Sequence, residues 1–111
     1  MNVNKDDKIK LLSGRDFWTA ASCEGVKGIR FSDGPSGLRV QQGKGDHLGM
    51  NDSATATCYP SHSALAQSWN RRLCFEVGFA IGREAKRAKV DILLAPDLNI
   101  KRSPLCGRNF E

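Results

Sequence analysis

The feature that most constrains the fold is an apolar periodicity of three and four residues that ends just before a short apolar run. The periodicity predicts an amphipathic helix of about five turns beginning at Asn70, a good N-cap residue. The following run, residues 90–95 (VDILLA), ends at Pro96, which cannot donate to a strand ladder. A buried strand directly after a helix is typical of an α/β fold with parallel strands. The periodic apolar positions are Leu73, Val77, Ala80, Ile81, Ala85 and Ala88.

Three weaker patterns precede this helix. Residues 29–32 (IRFS) alternate apolar and polar side chains and predict a strand that ends at Asp33, before a Gly-Pro turn. Residues 8–12 predict a short helix, and residues 58–66 predict a short strand followed by a helical turn. Residues 40–57 are low in hydrophobicity and predict a surface loop. A strand–helix–strand order follows from these patterns.

Length and hydrophobicity limit the class of protein. A chain of 111 residues, 40% of them hydrophobic, has the size of one globular domain. The longest apolar run, residues 92–96, is far shorter than the roughly 20 residues of a membrane-spanning helix, so no membrane association is expected. The polar first eight residues lack the apolar core of a secretory signal. We therefore expect a cytoplasmic protein.

The net charge of +5 raises the question of a nucleic-acid partner. The cations are spread along the chain, and their densest group, residues 83–89 (REAKRAK), is mixed with alanines on the predicted helix. This pattern favours a solvated helix face over a phosphate-binding stripe. No nucleic-acid partner is expected.

Cysteine and histidine spacing does not predict a metal site. No two of the four cysteines have C-x-x-C spacing, and without a secretory signal we expect reduced thiols. Cys74 lies on the predicted helix and is expected to be buried there. His47 and His62 are isolated and are expected on loop surfaces. Gly78 and Gly82, one helical turn apart, predict close packing against a neighbouring element.

One carboxylate and several guanidinium groups follow the predicted strands. Asp33 ends the first strand, Arg39 lies in the turn after it, and Arg102 and Arg108 follow the second strand. A carboxylate can accept from two adjacent hydroxyls and a guanidinium donates in a fixed plane, which suits a sugar but also a phosphate or a carboxylic acid. The alternative is structural: Asp33 caps its turn and pairs with an arginine.

Two motifs resemble a known family. Residues 32–39 (SDGPSGLR) and 99–111 (NIKRSPLCGRNFE) closely resemble the amino-terminal region of glycoside hydrolase family 3 β-glucosidases. Residues 57–60 (TCYP) and 64–70 (ALAQSWN) are similar to the block between them. The resemblance runs from about Lys8 to the end of the chain.

The resemblance implies an α/β fold that is the first part of a (β/α)8 TIM-type barrel, incomplete in this chain. Residues 1–111 would be the amino-terminal portion of the family's catalytic barrel domain. It also implies hydrolysis of terminal, non-reducing β-D-glucosyl or related residues with retention, through an aspartate nucleophile and a glutamate acid/base. Both catalytic residues would lie downstream of Glu111, so no residue here is expected to be catalytic. The implied partners are a β-glucoside or oligosaccharide and the rest of the full-length chain; no cofactor and no metal are implied.

By motif position, Asp33, Arg39 and Arg108 resemble residues that bind the non-reducing sugar, whereas Lys101 and Arg102 would have scaffold or rim roles. Ser36 stands where the family often has histidine, and residues 95–98 (APDL) replace a stretch that is usually richer in glycine. Two other functions remain open: a non-catalytic carbohydrate-binding or regulatory remnant of such an enzyme and, less favoured, a basic nucleic-acid binder.

Overall fold

The computed structural model describes residues 3–43, 45–46, 49–98, 100 and 102–109. Their regular elements, in chain order, are helix α1 (Lys5–Lys10), strand β1 (Phe31–Asp33), helix α2 (His62–Gln67), helix α3 (Arg71–Arg87) and strand β2 (Ile92–Leu94). No helix in this part of the chain is long and apolar enough to cross a membrane.

Strands β1 and β2 pair in parallel, with Phe31 opposite Ile92 and Asp33 opposite Leu94. Helices α2 and α3 lie between them in the chain and contact each other. The predicted α/β arrangement with parallel strands is confirmed. Because the strands are parallel and in register, the loops after Asp33 and after Leu94 leave the sheet at the same edge. That is the edge where α/β folds place ligands.

Helix α3 begins and ends with specific hydrogen bonds. The Asn70 side chain accepts from the backbone N–H of Leu73 at 3.0 Å, which confirms the predicted N-cap. At the other end Lys89 adopts φ +58°, and the N–H groups of Lys89 and Val90 donate to the carbonyls of Lys86 and Ala85. This is a Schellman motif with lysine at the left-handed position. It reverses the chain within two residues and leads directly into β2.

Asp91 fixes the register of the two strands. One of its carboxylate oxygens accepts from the backbone N–H of Arg30 at 2.9 Å, and the other accepts from Lys27 Nζ at 3.0 Å. The backbone N–H groups of Asp91 and Ile92 both donate to the carbonyl of Arg30. The start of β2 is therefore held to the residue before β1, and the ends of both strands are set by that connection.

The core is small for a chain of this length. Its centre is formed by Leu38, Ala85 and Val90, against which Val40 and Leu93 pack. The radius of gyration is 16.8 Å, whereas a compact domain of this size would have about 13 Å. Large side chains are left exposed, among them the stacked pair Phe75 and Phe79 on α3 and Trp69, Ile92 and Leu94. The segment therefore buries less of its apolar surface than an independent domain does.

Three predictions about burial are wrong. Cys74 is exposed, although its Sγ lies 4.0 Å from the carbonyl oxygen of Leu65 on α2. A Cβ atom at Gly78 or Gly82 would meet no atom within 4 Å in that part of the chain, so packing within this segment does not require glycine at either position. Strand β2 is three residues long, and Ile92 and Leu94 are 42% and 47% exposed, because β1 is the one strand that pairs with it in the described part of the chain.

Three local predictions also differ from the structure. Helix α1 begins three residues earlier than predicted, because Asn4 caps it by accepting from the N–H of Asp7 at 2.8 Å. Residues 58–60 form no strand; they lead into α2, which Ser61 caps. His62 is the first residue of that helix rather than a loop residue, and its Nδ1 accepts from the backbone N–H of Asp97.

Candidate functional site

The chain between Asp33 and Arg39 forms a closed turn at the carboxyl end of β1. The backbone N–H of Arg39 donates to the carbonyl of Asp33 at 2.9 Å, and the two residues form an antiparallel bridge. The hydroxyl of Ser32, which is only 3% exposed, donates to the carbonyl of Arg39 at 2.9 Å. Asp33 and Arg39 therefore lie side by side at the base of the turn.

Two glycines make this turn possible. Gly34 and Gly37 adopt φ +140° and +145°, a backbone region that strongly favours glycine. A Cβ atom at Gly34 would lie 2.2 Å from the carbonyl oxygen of Gly37, and one at Gly37 would lie 2.4 Å from the carbonyl oxygen of Thr57. The turn is thus folded closely on itself and against residue 57.

The side chains of Asp33 and Arg39 are a loose ion pair. Nη1 of Arg39 lies 4.0 Å from Oδ2 of Asp33, and the two side chains are 44% and 43% exposed. At that separation and exposure, water screens most of their attraction. Among the described residues no other hydrogen-bond or ion-pair partner reaches the Asp33 carboxylate. It keeps most of its capacity to accept hydrogen bonds.

The guanidinium of Arg39 is held by a second loop. Its Nη2 donates to the carbonyl of Gly49 at 3.0 Å. Asp46 organises that loop, since its carboxylate accepts from the backbone N–H groups of Gly49, Met50 and Asn51. Gln41 connects the loop to the rest of the chain by donating to Asp46 and accepting from the indole N–H of a tryptophan, Trp18.

Unlike the Asp33 carboxylate, four other carboxylates accept hydrogen bonds from described donors. The backbone N–H of Trp18 is the main cause that lowers the pKa of Asp16, and that of Arg30 lowers the pKa of Asp91. At Asp46, burial raises the pKa, but four hydrogen bonds outweigh it and the net shift is downward. The pKa of Glu84 is lowered chiefly by the hydroxyl of Thr57. These four carboxylates are committed to the structure, whereas Asp33 is available.

We expect Asp91→Asn to lower the melting temperature of the full-length protein at pH 7, with the difference narrowing toward pH 3. The folded-state pKa of Asp91 lies below its ordinary value of 3.8, so its stabilisation is present above that value and is lost as the pH falls through the folded pKa. Thermal unfolding of both proteins at pH 7, 5 and 3 measures the effect. Asp52→Asn, at an exposed carboxylate that accepts no described hydrogen bond, is the control; a gap for Asp91→Asn that stays constant with pH would contradict the expectation.

The third predicted sugar-binding residue, Arg108, lies in an exposed turn of residues 107–109. The side-chain amide of Asn109 donates to the carbonyl of Ser103 at 3.0 Å and ties this turn to the preceding chain. Arg102 is exposed, and Lys101 lies outside the described residues. The described contacts of Arg39 lead to Asp33 and Gly49, so the convergence of Arg108 on that pair stays a prediction.

The structure adds site residues that the sequence analysis did not identify. Asp46 and Gly49 orient Arg39, and an aspartate three residues before a glycine is a turn signal that could have indicated them. The i, i+3 spacing of Glu84 and Arg87 along the helix predicts an ion pair between them. The structure instead joins Glu84 to Thr57 and Tyr59, and no Glu84–Arg87 pair within 4.0 Å occurs among the described residues. In the same part of the chain no cluster of His, Cys, Asp and Glu could hold a metal ion.

Curated relatives match nearly the whole chain. It is 49% identical over 108 residues to thermostable beta-glucosidase B of Acetivibrio thermocellus, covering 96% of this chain and 14% of that protein. It is 40% identical over 113 residues to an exo-alpha-(1->6)-L-arabinopyranosidase of Bifidobacterium breve, covering 99% of this chain and 15% of that protein. The chain thus spans about one seventh of the length of these relatives. No protein-family model matches the chain.

Solved structures give the same result. The fold superposes on a beta-glucosidase from Kluyveromyces marxianus in complex with glucose with a TM-score of 0.87 at 34% identity, covering 99% of this chain and 13% of that one. It superposes on a GH3 beta-glucosidase from Bifidobacterium adolescentis with a TM-score of 0.81 at 38% identity, covering 96% and 14%. The open segment described above therefore has the same backbone arrangement as a part of much larger enzymes.

Proposed function

Because the chain belongs to glycoside hydrolase family 3, we propose that it is the amino-terminal segment of a retaining β-glucosidase-type enzyme and supplies part of the sugar-binding subsite. The substrate class is a terminal, non-reducing β-D-glucosyl residue or a related pyranoside. Cleavage with retention needs two carboxylates about 5 Å apart, one as nucleophile and one as acid/base. We place both in the chain beyond residue 111.

The observation that carries this proposal is the pair Asp33 and Arg39 at the carboxyl end of β1. The carboxylate is held in place by its backbone, and its one partner among the described residues is a loose ion pair, so it can accept from two neighbouring hydroxyls of a sugar. Arg39 is fixed by Gly49 and offers its remaining N–H donors beside it. We assign Arg108 to the same subsite from its motif alone.

For the fold, we propose that β1 and β2 are neighbouring strands of a (β/α)8 barrel and that residues 1–111 are the amino-terminal portion of that domain. Three observations support this: the parallel pairing of the strands, the two helices between them in the chain and the apolar side chains left exposed. A barrel of this type typically needs about 250 residues to close, so the exposed side chains Phe75, Phe79, Ile92 and Leu94 would be covered by the rest of it.

A specific observation favours a second candidate substrate. Relatives that are 40% and 39% identical to this chain are named exo-alpha-(1->6)-L-arabinopyranosidases. A subsite that binds hydroxyls through Asp33 would accept a pentopyranose as well as a glucose, since a charged acceptor recognises the hydroxyl pair rather than the substituent at C5. We therefore propose aryl α-L-arabinopyranoside as the second compound to assay.

The four cysteines are free in the structure, and the expected cytoplasmic location stays a prediction.

The experiment is to compare the 111-residue chain with the product of its complete coding sequence. We expect the complete product to hydrolyse p-nitrophenyl β-D-glucoside and to release the β-anomer first, as measured by NMR. The 111-residue chain alone is expected to show no turnover, because it lacks the two catalytic carboxylates. A stop codon directly after Glu111 would contradict the proposal in favour of a non-catalytic remnant, and so would turnover by the short chain that is lost in Asp33→Ala.

A further inference from the structure

We propose that Glu84, on helix α3, is a positioning residue of the sugar subsite. It holds the backbone of residues 57–59, and that backbone in turn supports the turn carrying Asp33 and Arg39. This inference rests on the proposed function of that pair. It assigns to Glu84 no contact with the sugar itself.

The first step is the set of donors around the Glu84 carboxylate. One oxygen accepts from the hydroxyl of Thr57 and from the phenol of Tyr59, the latter at 3.3 Å. The other oxygen accepts from the backbone N–H of Thr57 at 3.3 Å. Three donors from one short segment thus converge on one side chain of α3. The negative charge of the carboxylate strengthens each of these hydrogen bonds.

The second step joins this segment to the turn. The backbone N–H of Tyr59 donates to the carbonyl of Ser36 at 2.8 Å. The carbonyl oxygen of Thr57 lies only 2.4 Å from the position that a Cβ atom of Gly37 would take, so the two backbones are in direct contact. A shift of residues 57–59 away from Glu84 would therefore remove the support of residues 36 and 37.

The third step is the stiffness of the turn. The carbonyl of Asp33 accepts from the N–H of Arg39, and both residues lie at the base of the loop that Gly34 and Gly37 close. A displacement at residues 36–37 is thus transmitted to the separation of the carboxylate and the guanidinium. Misplacement of binding groups by about 1 Å can cost up to about 100-fold in rate.

The same helix provides a matched control. Glu76 is exposed and pairs with Arg72 at 2.9 Å in an i, i+4 arrangement on the solvent side of α3. Glu84→Gln and Glu76→Gln are the same chemical change, eight residues apart on one helix. Only the first disturbs the turn, because glutamine loses the negative charge and keeps one acceptor oxygen, so the N–H and the hydroxyl of Thr57 no longer both meet a carboxylate oxygen.

The experiment uses the full-length enzyme and measures four quantities for each variant. They are the inhibition constant for glucose, the KM and kcat for p-nitrophenyl β-D-glucoside, and the fraction of active sites, titrated with a slowly released fluoroglucoside. For Glu84→Gln we expect the inhibition constant and KM to rise about 10-fold while the active fraction stays unchanged. Thr57→Val, which removes one donor and keeps the shape, should shift both in the same direction, and Glu76→Gln should shift neither.

A double-mutant cycle separates positioning from a general loss of structure. If Glu84 acts through Asp33, adding Glu84→Gln to Asp33→Ala should change the inhibition constant for glucose less than 2-fold. A lower active fraction with unchanged KM and inhibition constant in both Glu84→Gln and Thr57→Val would overturn the inference and leave the role of Asp33 intact. An Asp33→Ala variant that binds glucose normally would instead overturn the proposed function, and this inference with it.

Discussion

Asp33→Asn in the full-length enzyme is expected to lower kcat/KM for p-nitrophenyl β-D-glucoside by about 10³-fold. A hydrogen bond to a charged group is worth about 1.5–3 kcal/mol, and the proposed role gives the carboxylate two of them. Asparagine keeps one acceptor oxygen, loses the charge and presents N–H donors to a hydroxyl that was donating. The ion pair with Arg39 contributes little to this loss because it is long and exposed.

Three measurements test this expectation: steady-state kinetics, the inhibition constant for glucose and the melting temperature. The matched control is Asp6→Asn, at an exposed aspartate in the first turn of α1, which should leave kcat/KM within 2-fold. If Asp33 only stabilises its turn, the variant would lower the melting temperature and the active fraction, and kcat/KM per active site would be unchanged. That result would favour the structural alternative, in which Asp33 caps its turn and pairs with an arginine.

Gly34→Ala is expected to have the largest effect on stability, a loss of about 3 kcal/mol, and to abolish glucose binding in the same protein. Alanine at φ +140° is strained, and its Cβ atom would lie 2.2 Å from the carbonyl oxygen of Gly37 and 2.8 Å from the Cα of Leu38. Both neighbours are backbone atoms, so the overlap is relieved only by opening the turn. Opening the turn separates Asp33 from Arg39.

Gly43→Ala separates the two causes. Gly43 also has a positive φ, +74°, but a Cβ atom there would meet no atom within 4 Å among the described residues. It should cost about 1 kcal/mol from backbone strain alone and leave glucose binding unchanged. Urea unfolding and the inhibition constant for glucose are measured for both variants. Gly43→Ala then reports the effect of backbone strain alone, and Gly34→Ala the effect of strain together with steric overlap. Equal losses of stability would show that the close approach of residues 34 and 37 is absent from the protein.

The position of Asp33 and its arginine was accessible from the sequence because it depends on neighbours in the chain. A strand that ends at a Gly-Pro turn places the carboxylate at its last position, and Arg39 returns to it six residues later through a backbone hydrogen bond. The long helix was predicted for the same reason, since its apolar period and its Asn70 cap are local. Burial along that helix was not predicted correctly, because whether Cys74, Gly78 and Gly82 are buried depends on which elements pack against them.

What the sequence by itself determined is the order of elements, the helix with its cap, the glycine turn after β1 and, through its motifs, the family. Only the tertiary structure decided that strands β1 and β2 are neighbours in register, because Asp91 joins residues 61 positions apart in the chain. The tertiary structure also decided the partners of Glu84. Its spacing predicts an i, i+3 ion pair with Arg87, but the carboxylate accepts hydrogen bonds from Thr57 and Tyr59. The physical reason is common to both: a carboxylate binds whichever donors the fold brings within about 3 Å, and sequence spacing predicts those donors only when they lie in the same turn.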